Sequence, residues 1–395
     1  MNVVIVAPCH VPLVIGGAEK LWWGLLQYLN GQTPHHADII KLPGPERDFW
    51  EVVESYRHFS ELDLRHYDAI ISGKYPAWMS DHPRHVIYML HPLRGLYDTY
   101  PPGLPPSCEV EHPDVRALVR LARSGEHSRE ALGECFERVE RLRFPRRPRR
   151  FARRPVPPEV FAFPGPLIRE IVHFCDGVAF RSGAIRRFCA ISATVAGREG
   201  YFPPGTDVTP VYPPSDLTGY RRPRRGRHLL TVSRLDAPKR VDLLIEAMRY
   251  VRTPVELLVA GTGPDEQRLR ELADGDPRIR FLGYVNDEAL LDLYSQALAV
   301  LFAPVQEDFG LVALEAMAAG KAVVTTSDAG GPSELVEHGR TGYITDPEPQ
   351  AIAAHVERLL ADRRLARAMG TRGRARAAEV TWERVGAALL DGIDA

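Results

Sequence analysis

Two glutamates with seven residues between them, Glu307 and Glu315, are the first residues of this chain whose types and spacing suggest chemistry. An ionised carboxylate accepts hydrogen bonds from the paired hydroxyls of a sugar ring. The amides of Gly310, Leu311 and Val312, at the start of a helix between the two acids, offer a site for phosphate. On spacing alone, a solvated loop acid and an ordinary helix-surface acid is the plainer reading. Arg234 and Lys239 follow a short apolar run, Leu229 to Val232. A planar guanidinium and a compact ammonium just beyond a strand suit a diphosphate, and surface ion pairing is the plain alternative. Gly16-Gly17 lies between a Val/Ile-rich first strand (Asn2 to Pro8) and an apolar-periodic helix (about Glu19 to Leu29), where glycines let backbone amides approach an anion. His91 closes the strand His85 to Leu90, a place from which a histidine meets substrate.

The elements that must position these groups are alternating strands and helices. Leu298 to Val305 reads as a buried parallel strand, Leu311 to Ala319 as a helix stopped by Gly320, and Ala322 to Thr326 as the next strand. This is one βαβ unit. Its loop acid, Glu307, falls at the carboxyl edge of the sheet, where open α/β sheets bind ligands.

The neighbours of the two acids make the pattern specific. Glu307, Phe309, Gly310, Glu315, Ala316, Met317, Ala318 and Gly320, continued by Val323-Val324, Gly330-Gly331, Glu334 and Gly339-x-x-Gly342, resemble the signature of the retaining nucleotide-sugar glycosyltransferases of family GT4. The resemblance is good from about Leu229 to Pro347 and weak in the first half; within it the chain looks most like bacterial polysaccharide and O-antigen mannosyl- or rhamnosyltransferases. It implies an α/β GT-B fold, two Rossmann-like domains facing each other across a cleft, with a C-terminal helix crossing back and Trp382 as its packing anchor. It further implies that Arg234 and Lys239 bind the donor's phosphates, Glu315 the ribose and Glu307 the sugar. Phe309, Gly310 and Leu311 supply backbone contacts, Tyr284 and Val285 lie by the base, Gly16 and Gly17 face the diphosphate, and His91 contacts the sugar or lies near the acceptor. Gly263 is counted with the donor contacts, although Gly261-Thr262-Gly263 is no dinucleotide fingerprint because Glu266 stands where the next glycine belongs.

The expected domains are 1–215, carrying an irregular basic insertion at about 100–165; a linker at 216–227; a donor domain at 228–378; and a returning helix at 379–395. A length of 395 residues accommodates two domains, and 45% apolar with 26% charged residues is a globular composition. Five cysteines, odd in number and without metal-ligand spacing, suit a reducing compartment. No apolar run approaches the roughly 20 residues of a membrane helix, so the expected location is cytoplasmic, with peripheral contact at the inner membrane face. That contact is assigned to Arg141 to Arg154, with eight arginines and no acid. A solvated loop and a nucleic-acid patch are its alternatives, nucleic acid being the disfavoured one.

The expected reaction moves a sugar from a nucleotide diphosphate, a GDP-sugar ahead of a UDP-sugar, to a hydroxyl of a glycan, lipid-linked or small acceptor. Fixed cations stand in for a divalent metal and no cofactor is needed; Asp274-Gly275-Asp276 reads as a turn, not a metal site. Retention of configuration comes with the resemblance. A sugar-nucleotide epimerase of similar fold and a non-catalytic anion- or nucleic-acid-binding module remain as rivals.

Overall fold

The computed structural model describes residues 1–9, 16–144, 156–181, 183–224 and 226–394. The chain divides into two compact units, Met1–Ile191 with Val195–Val211 and Val385–Ala395, and Ser192–Thr194 with Tyr212–Arg384. Much of the arginine run, residues 145–154, lies outside the described residues.

The first unit is built on six parallel strands, β1 (Asn2–Cys9), β2 (His36–Pro43), β3 (Ala69–Lys74), β4 (His85–His91), β5 (Ile185–Ala190) and β6 (Val208–Pro210), in the order β2-β1-β3-β4-β5-β6. Val3 to Ala7 and Ala69 to Ile71 are fully buried. That is the pattern of a parallel sheet covered on both faces, and it is why these strands read as continuous apolar runs. The C-terminal helix Trp382–Asp394 packs here through Val385, Leu389 and Ile393, all buried at helical spacing. Arg187 Nη1 donates to the Ala388 carbonyl at 3.1 Å, and Gly386 lies so close to the Tyr28 ring that a Cβ would come within 2.3 Å of it. Trp382, expected as the anchor, is only half-buried and belongs to the second unit.

The second unit holds β7 (His228–Val232), β8 (Glu256–Ala260), β9 (Ile279–Gly283), β10 (Ala297–Leu301), β11 (Ala322–Thr326) and β12 (Gly342–Thr345), all parallel, in the order β12-β11-β10-β7-β8-β9. The strand order reverses between β7 and β10, which pair directly (Ala299 with Leu229, Val300 with Leu230). Such a reversal leaves a crevice at the carboxyl ends of the two strands, because the loops leaving them diverge to opposite faces of the sheet. The stretch 216–227, expected as a linker, is instead tied into this unit: Arg224 and Arg227 amides donate to the Ser295 and Gln296 carbonyls at 2.8 Å each, and Arg221 pairs with Asp292 at 2.5 Å. Strand β10 stops at Leu301 rather than Val305: the Phe302 amide still bonds to the Val324 carbonyl of β11 at 3.0 Å, but the Val305 amide turns to the Pro238 carbonyl at 2.9 Å.

Two buried ionisable groups of the first unit give it opposing pH responses. Asp176, 2% exposed, accepts from Trp78 Nε1 at 2.7 Å and from the Tyr97 hydroxyl at 2.5 Å. Burial pushes its carboxyl up to about 6, against these bonds. His85, 1% exposed, lies 2.8 Å from Ser72 Oγ, and burial pushes its imidazole down to about 3. Between the unfolded value of 3.8 and about 6 the folded state keeps a proton on Asp176 that the unfolded chain releases, so this group lowers stability as pH rises. His85 does the reverse: its stability, full above 6.5, is lost as pH falls toward 3. In Asp176→Asn only the histidine slope remains. Relative to wild type, that variant should gain about 2 kcal/mol between pH 4.5 and 6.5 in urea unfolding. Parallel pH profiles would exclude the assignment.

Candidate functional site

The two loops flanking the strand-order reversal carry the expected chemistry. The loop after β7 runs through Arg234 and a 3-10 turn, Ala237–Lys239, to the helix Val241–Met248. The loop after β10 runs through Phe302 to Glu307, then into the helix Leu311–Ala318. Their chemical groups meet: Lys239 Nζ donates to Glu307 Oε2 at 2.5 Å, with side chains 20% and 24% exposed. An acid and a cation separated by 68 residues thus share one point at the carboxyl edge of the sheet.

Backbone bonds hold Glu307 there. Its amide donates to the Ala329 carbonyl and its carbonyl accepts from the Gly331 amide, both at 2.9 Å. Gly330, at φ 76°, lies so near that a Cβ would fall 2.5 Å from the Glu307 carbonyl, so glycine is required on conformation and on space alike. The Ser192 hydroxyl donates to the Asp308 carbonyl. Phe309, 4% exposed, stacks on Tyr212 at 5.8 Å, and the Tyr212 hydroxyl donates to Glu334 at 2.9 Å. The Phe309 ring is therefore a packing group, leaving its backbone for the expected donor contact. Gly310 opens the helix at φ 83°, where a Cβ would clash with Pro332.

Glu315 lies on that helix and accepts from Ser215 Oγ and from the Tyr294 hydroxyl, both at 3.0 Å. Arg234 does not join the Lys239–Glu307 pair. It is 73% exposed and forks onto Asp236, its Nε at 2.6 Å. Gly263 has a packing role: a Cβ there would fall 2.2 Å from the Leu235 carbonyl, which brings the 261–263 loop against the arginine loop. The Gly261 amide also bonds to the Gly283 carbonyl at 2.8 Å. Immediately beyond, Tyr284 is 81% exposed and Val285 is half-buried.

The remaining sequence candidates belong to the first unit. Gly16 precedes the helix Gly17–Gln32, and its amide donates to Glu19 at 3.1 Å, half of a capping box. Glu19 also lies 3.8 Å from Lys41. Neither conformation nor crowding demands glycine at position 16, where a Cβ would meet nothing nearer than Glu19 at 3.4 Å. His91 ends β4, with Nδ1 2.8 Å from the Pro92 carbonyl. A carbonyl only accepts, so Nδ1 carries a proton.

Two groups escaped sequence reasoning. Arg240 forks onto Asp328, Nη1 to Oδ2 and Nη2 to Oδ1 at 2.7 Å each. That bond holds the Asp328 carboxyl below the usual carboxylate range. Glu334, present in the signature without an assigned role, accepts from the Ala193 and Thr194 amides at 2.9 and 2.5 Å. The only local sign of the first was a second cation beside Lys239; its partner is 88 residues away.

Comparison with known proteins bears on this geometry. Residues 219–376 match the family model described as Glycosyl transferases group 1. A GDP-mannose-dependent alpha-(1-6)-phosphatidylinositol monomannoside mannosyltransferase of Mycobacterium tuberculosis is 34% identical over 245 residues, 57% of this chain and 63% of that protein. The alpha-1,3/1,6-mannosyltransferase ALG2 of Homo sapiens is 31% identical over 171 residues, 38% of this chain and 41% of that protein. This chain thus spans less than two thirds of the length of the curated relatives it matches. Two solved structures cover nearly all of it: sucrose-phosphate synthase of Thermosynechococcus elongatus (TM-score 0.62, 17% identity, 99% of this chain and 97% of that one) and Anabaena Alr3699/HepE with UDP-glucose (0.61, 16%, 100% and 99%). At such identities the likeness shows the fold, which is GT-B.

Proposed function

We propose, from the premise that residues 219–376 belong to the group 1 glycosyl transferases, that this protein transfers a sugar from a nucleotide diphosphate to a hydroxyl acceptor. The observation that carries the reading is the Lys239–Glu307 pair at the strand-order reversal of the second sheet. A sugar–phosphate bond needs a cation for its phosphates and an acid for its hydroxyls within reach of one another, and this pair supplies both.

In this reading Lys239, joined by Arg234 once its side chain leaves Asp236, holds the diphosphate. Glu307 takes the sugar hydroxyls, Glu315 the ribose, and Tyr284 with Val285 the base. The backbone of Phe309, Gly310 and Leu311 completes the donor contacts. His91 and the Gly16-Gly17 turn keep their expected roles toward sugar and phosphate. The anomeric carbon–oxygen bond breaks with its electron pair going to the phosphate oxygen. The acceptor oxygen forms the new bond to that carbon and passes its proton to the departing phosphate oxygen, so that the nucleotide diphosphate leaves. Fixed positive charge aimed at the departing diphosphate stabilises the developing anion without needing to reorganise. The reading includes retention of configuration and independence from divalent metal, with Glu307 placing the sugar rather than attacking it.

A GDP-sugar is our first choice of donor, supported by the GDP-mannose dependence of the mycobacterial relative. A lipid-linked or glycan acceptor, reached from the cytoplasmic face through the arginine run 141–154, is the matching choice of partner. No helix among the described residues is long and apolar enough to cross a membrane.

The test is nucleotide release from a panel of GDP- and UDP-sugars in EDTA, with and without acceptor. One sugar nucleotide should be consumed and should raise the melting temperature. If no sugar nucleotide is consumed or stabilises the fold, the reading is lost.

A further inference from the structure

Among the described residues, only two that are not glycine have positive φ: Arg240 at 47° and Gln306 at 49°. A side chain in that region costs roughly 1–3 kcal/mol and persists only where its surroundings over-determine it. Arg240 directly follows Lys239, and Gln306 directly precedes Glu307. The two strained positions therefore flank the acid–cation pair.

One side chain links both strained turns. The Arg240 guanidinium donates through Nε to the Ala303 carbonyl at 2.8 Å and through Nη2 to the Pro304 carbonyl at 2.7 Å. The same Nη2 lies 2.9 Å from Thr326 Oγ1, and both terminal nitrogens fork onto Asp328. Those partners come from the loop after β10 and from the end of β11 and the loop after it, while Arg240 comes from the loop after β7. Backbone bonds continue the lacing: the Val305 amide to the Pro238 carbonyl at 2.9 Å, and the Gln306 amide to the Asp328 carbonyl at 3.0 Å. Residues 303–306 are thus suspended between the turn that presents Lys239 and the loop that anchors Glu307. A guanidinium can do this because its donors are planar and fixed in direction, which a lysine ammonium cannot reproduce.

We propose that the Arg240–Asp328 fork is a positioning pair that sets the spacing of Lys239 and Glu307 for a nucleotide diphosphate and its sugar. The inference rests on the glycosyl-transfer reading and adds to it a role for two residues outside the donor contacts. The fork touches no donor atom; it acts by holding three strand-end loops in register.

Arg240→Gly is the informative variant, since glycine takes φ 47° without strain and only the side chain's bonds, to Asp328, Ala303, Pro304 and Thr326, are lost. Arg240→Lys keeps the charge without the fork, and Asp328→Asn keeps the shape without the charge. Each is measured for melting temperature, affinity for GDP and UDP by calorimetry, and kcat with the donor that the wild type consumes. Arg240→Gly should weaken nucleotide diphosphate binding about tenfold in wild type but no more than about twofold in a Lys239→Ala background, because residues that act as a unit are non-additive. Turnover should fall further than affinity, and about 20 mM guanidinium chloride, against equal sodium chloride, should restore part of it by filling the vacated donor position. Equal effects in both backgrounds would reduce Arg240 to a fold-stabilising residue and overturn the proposal. Should Arg240→Gly fail to fold, Asp328→Asn carries the same comparison, with the same deciding outcome. A wild type that consumes no sugar nucleotide would instead remove the reading underneath, so the two failures are distinct.

Discussion

Glu307→Gln lowers sugar transfer by at least about a hundredfold while nucleotide diphosphate affinity stays equal or rises. The expected loss follows from two effects. A hydrogen bond from a sugar hydroxyl to a charged acceptor contributes about 1.5–3 kcal/mol, and the amide gives up most of that. The carboxylate also offers negative charge to a transition state that builds positive charge at the anomeric carbon, and a preorganised charge of this kind is worth roughly 10²–10³ in turnover. The rise in affinity has a separate cause: Lys239 is bonded to Glu307 at 2.5 Å, and a neutral partner frees the ammonium for phosphate. Steady-state turnover and calorimetric binding of GDP or UDP read the two quantities separately. Turnover within a few-fold of wild type would remove Glu307 from the reaction.

Lys239→Ala has the other large effect, and its form is specific to this structure. Truncation removes a phosphate contact and also leaves the Glu307 carboxylate, 24% exposed, without its cation. A donor diphosphate would then meet an unbalanced negative charge. We expect nucleotide diphosphate affinity to fall about 30-fold or more, since truncating one member of a close ion pair adds the cost of the stranded partner to the lost contact. Lys239→Ala with Glu307→Gln should then bind nucleotide diphosphate better than Lys239→Ala alone, because the stranded charge is gone. The gain from Glu307→Gln should be larger in the Lys239→Ala background than in wild type, the non-additivity that marks a coupled pair. If the affinity change of the double variant is the sum of the two single changes in free energy, the two residues act independently and the pair is incidental.

The parts of the fold legible in the sequence are those set by local features. The fully buried strands Val3 to Ala7 and Ala322 to Val324 are continuous apolar runs, and the helix Leu311–Ala318 has its glycine at each end. Such patterns depend on neighbours within a turn or a strand, so they survive in a linear reading. The stop of β10 at Leu301 did not, because the residues beyond it bond to partners distant in the chain: the Ala303 and Pro304 carbonyls accept from Arg240 and the Val305 amide donates to Pro238. The same holds for the stretch 216–227. Its basic, proline-containing composition suits a linker, yet its amides and Arg221 find partners around the helix Asp287–Gln296. Gly263 and Phe309 show the converse: both belong to site loops, and both are explained by packing against Leu235 and Tyr212.

By itself the sequence determined the class of element at each position, the repeated βαβ order and the short list of residues able to hold a phosphate and a sugar. Only the tertiary structure decided which of those residues meet. Placing β10 beside β7, across the reversal in strand order, brought Lys239 to Glu307. The continuation of that order to β11 joined Arg240 to Asp328. The physical reason is that strand order is set by long-range burial and pairing, whereas periodicity and turn chemistry report only on near neighbours along the chain.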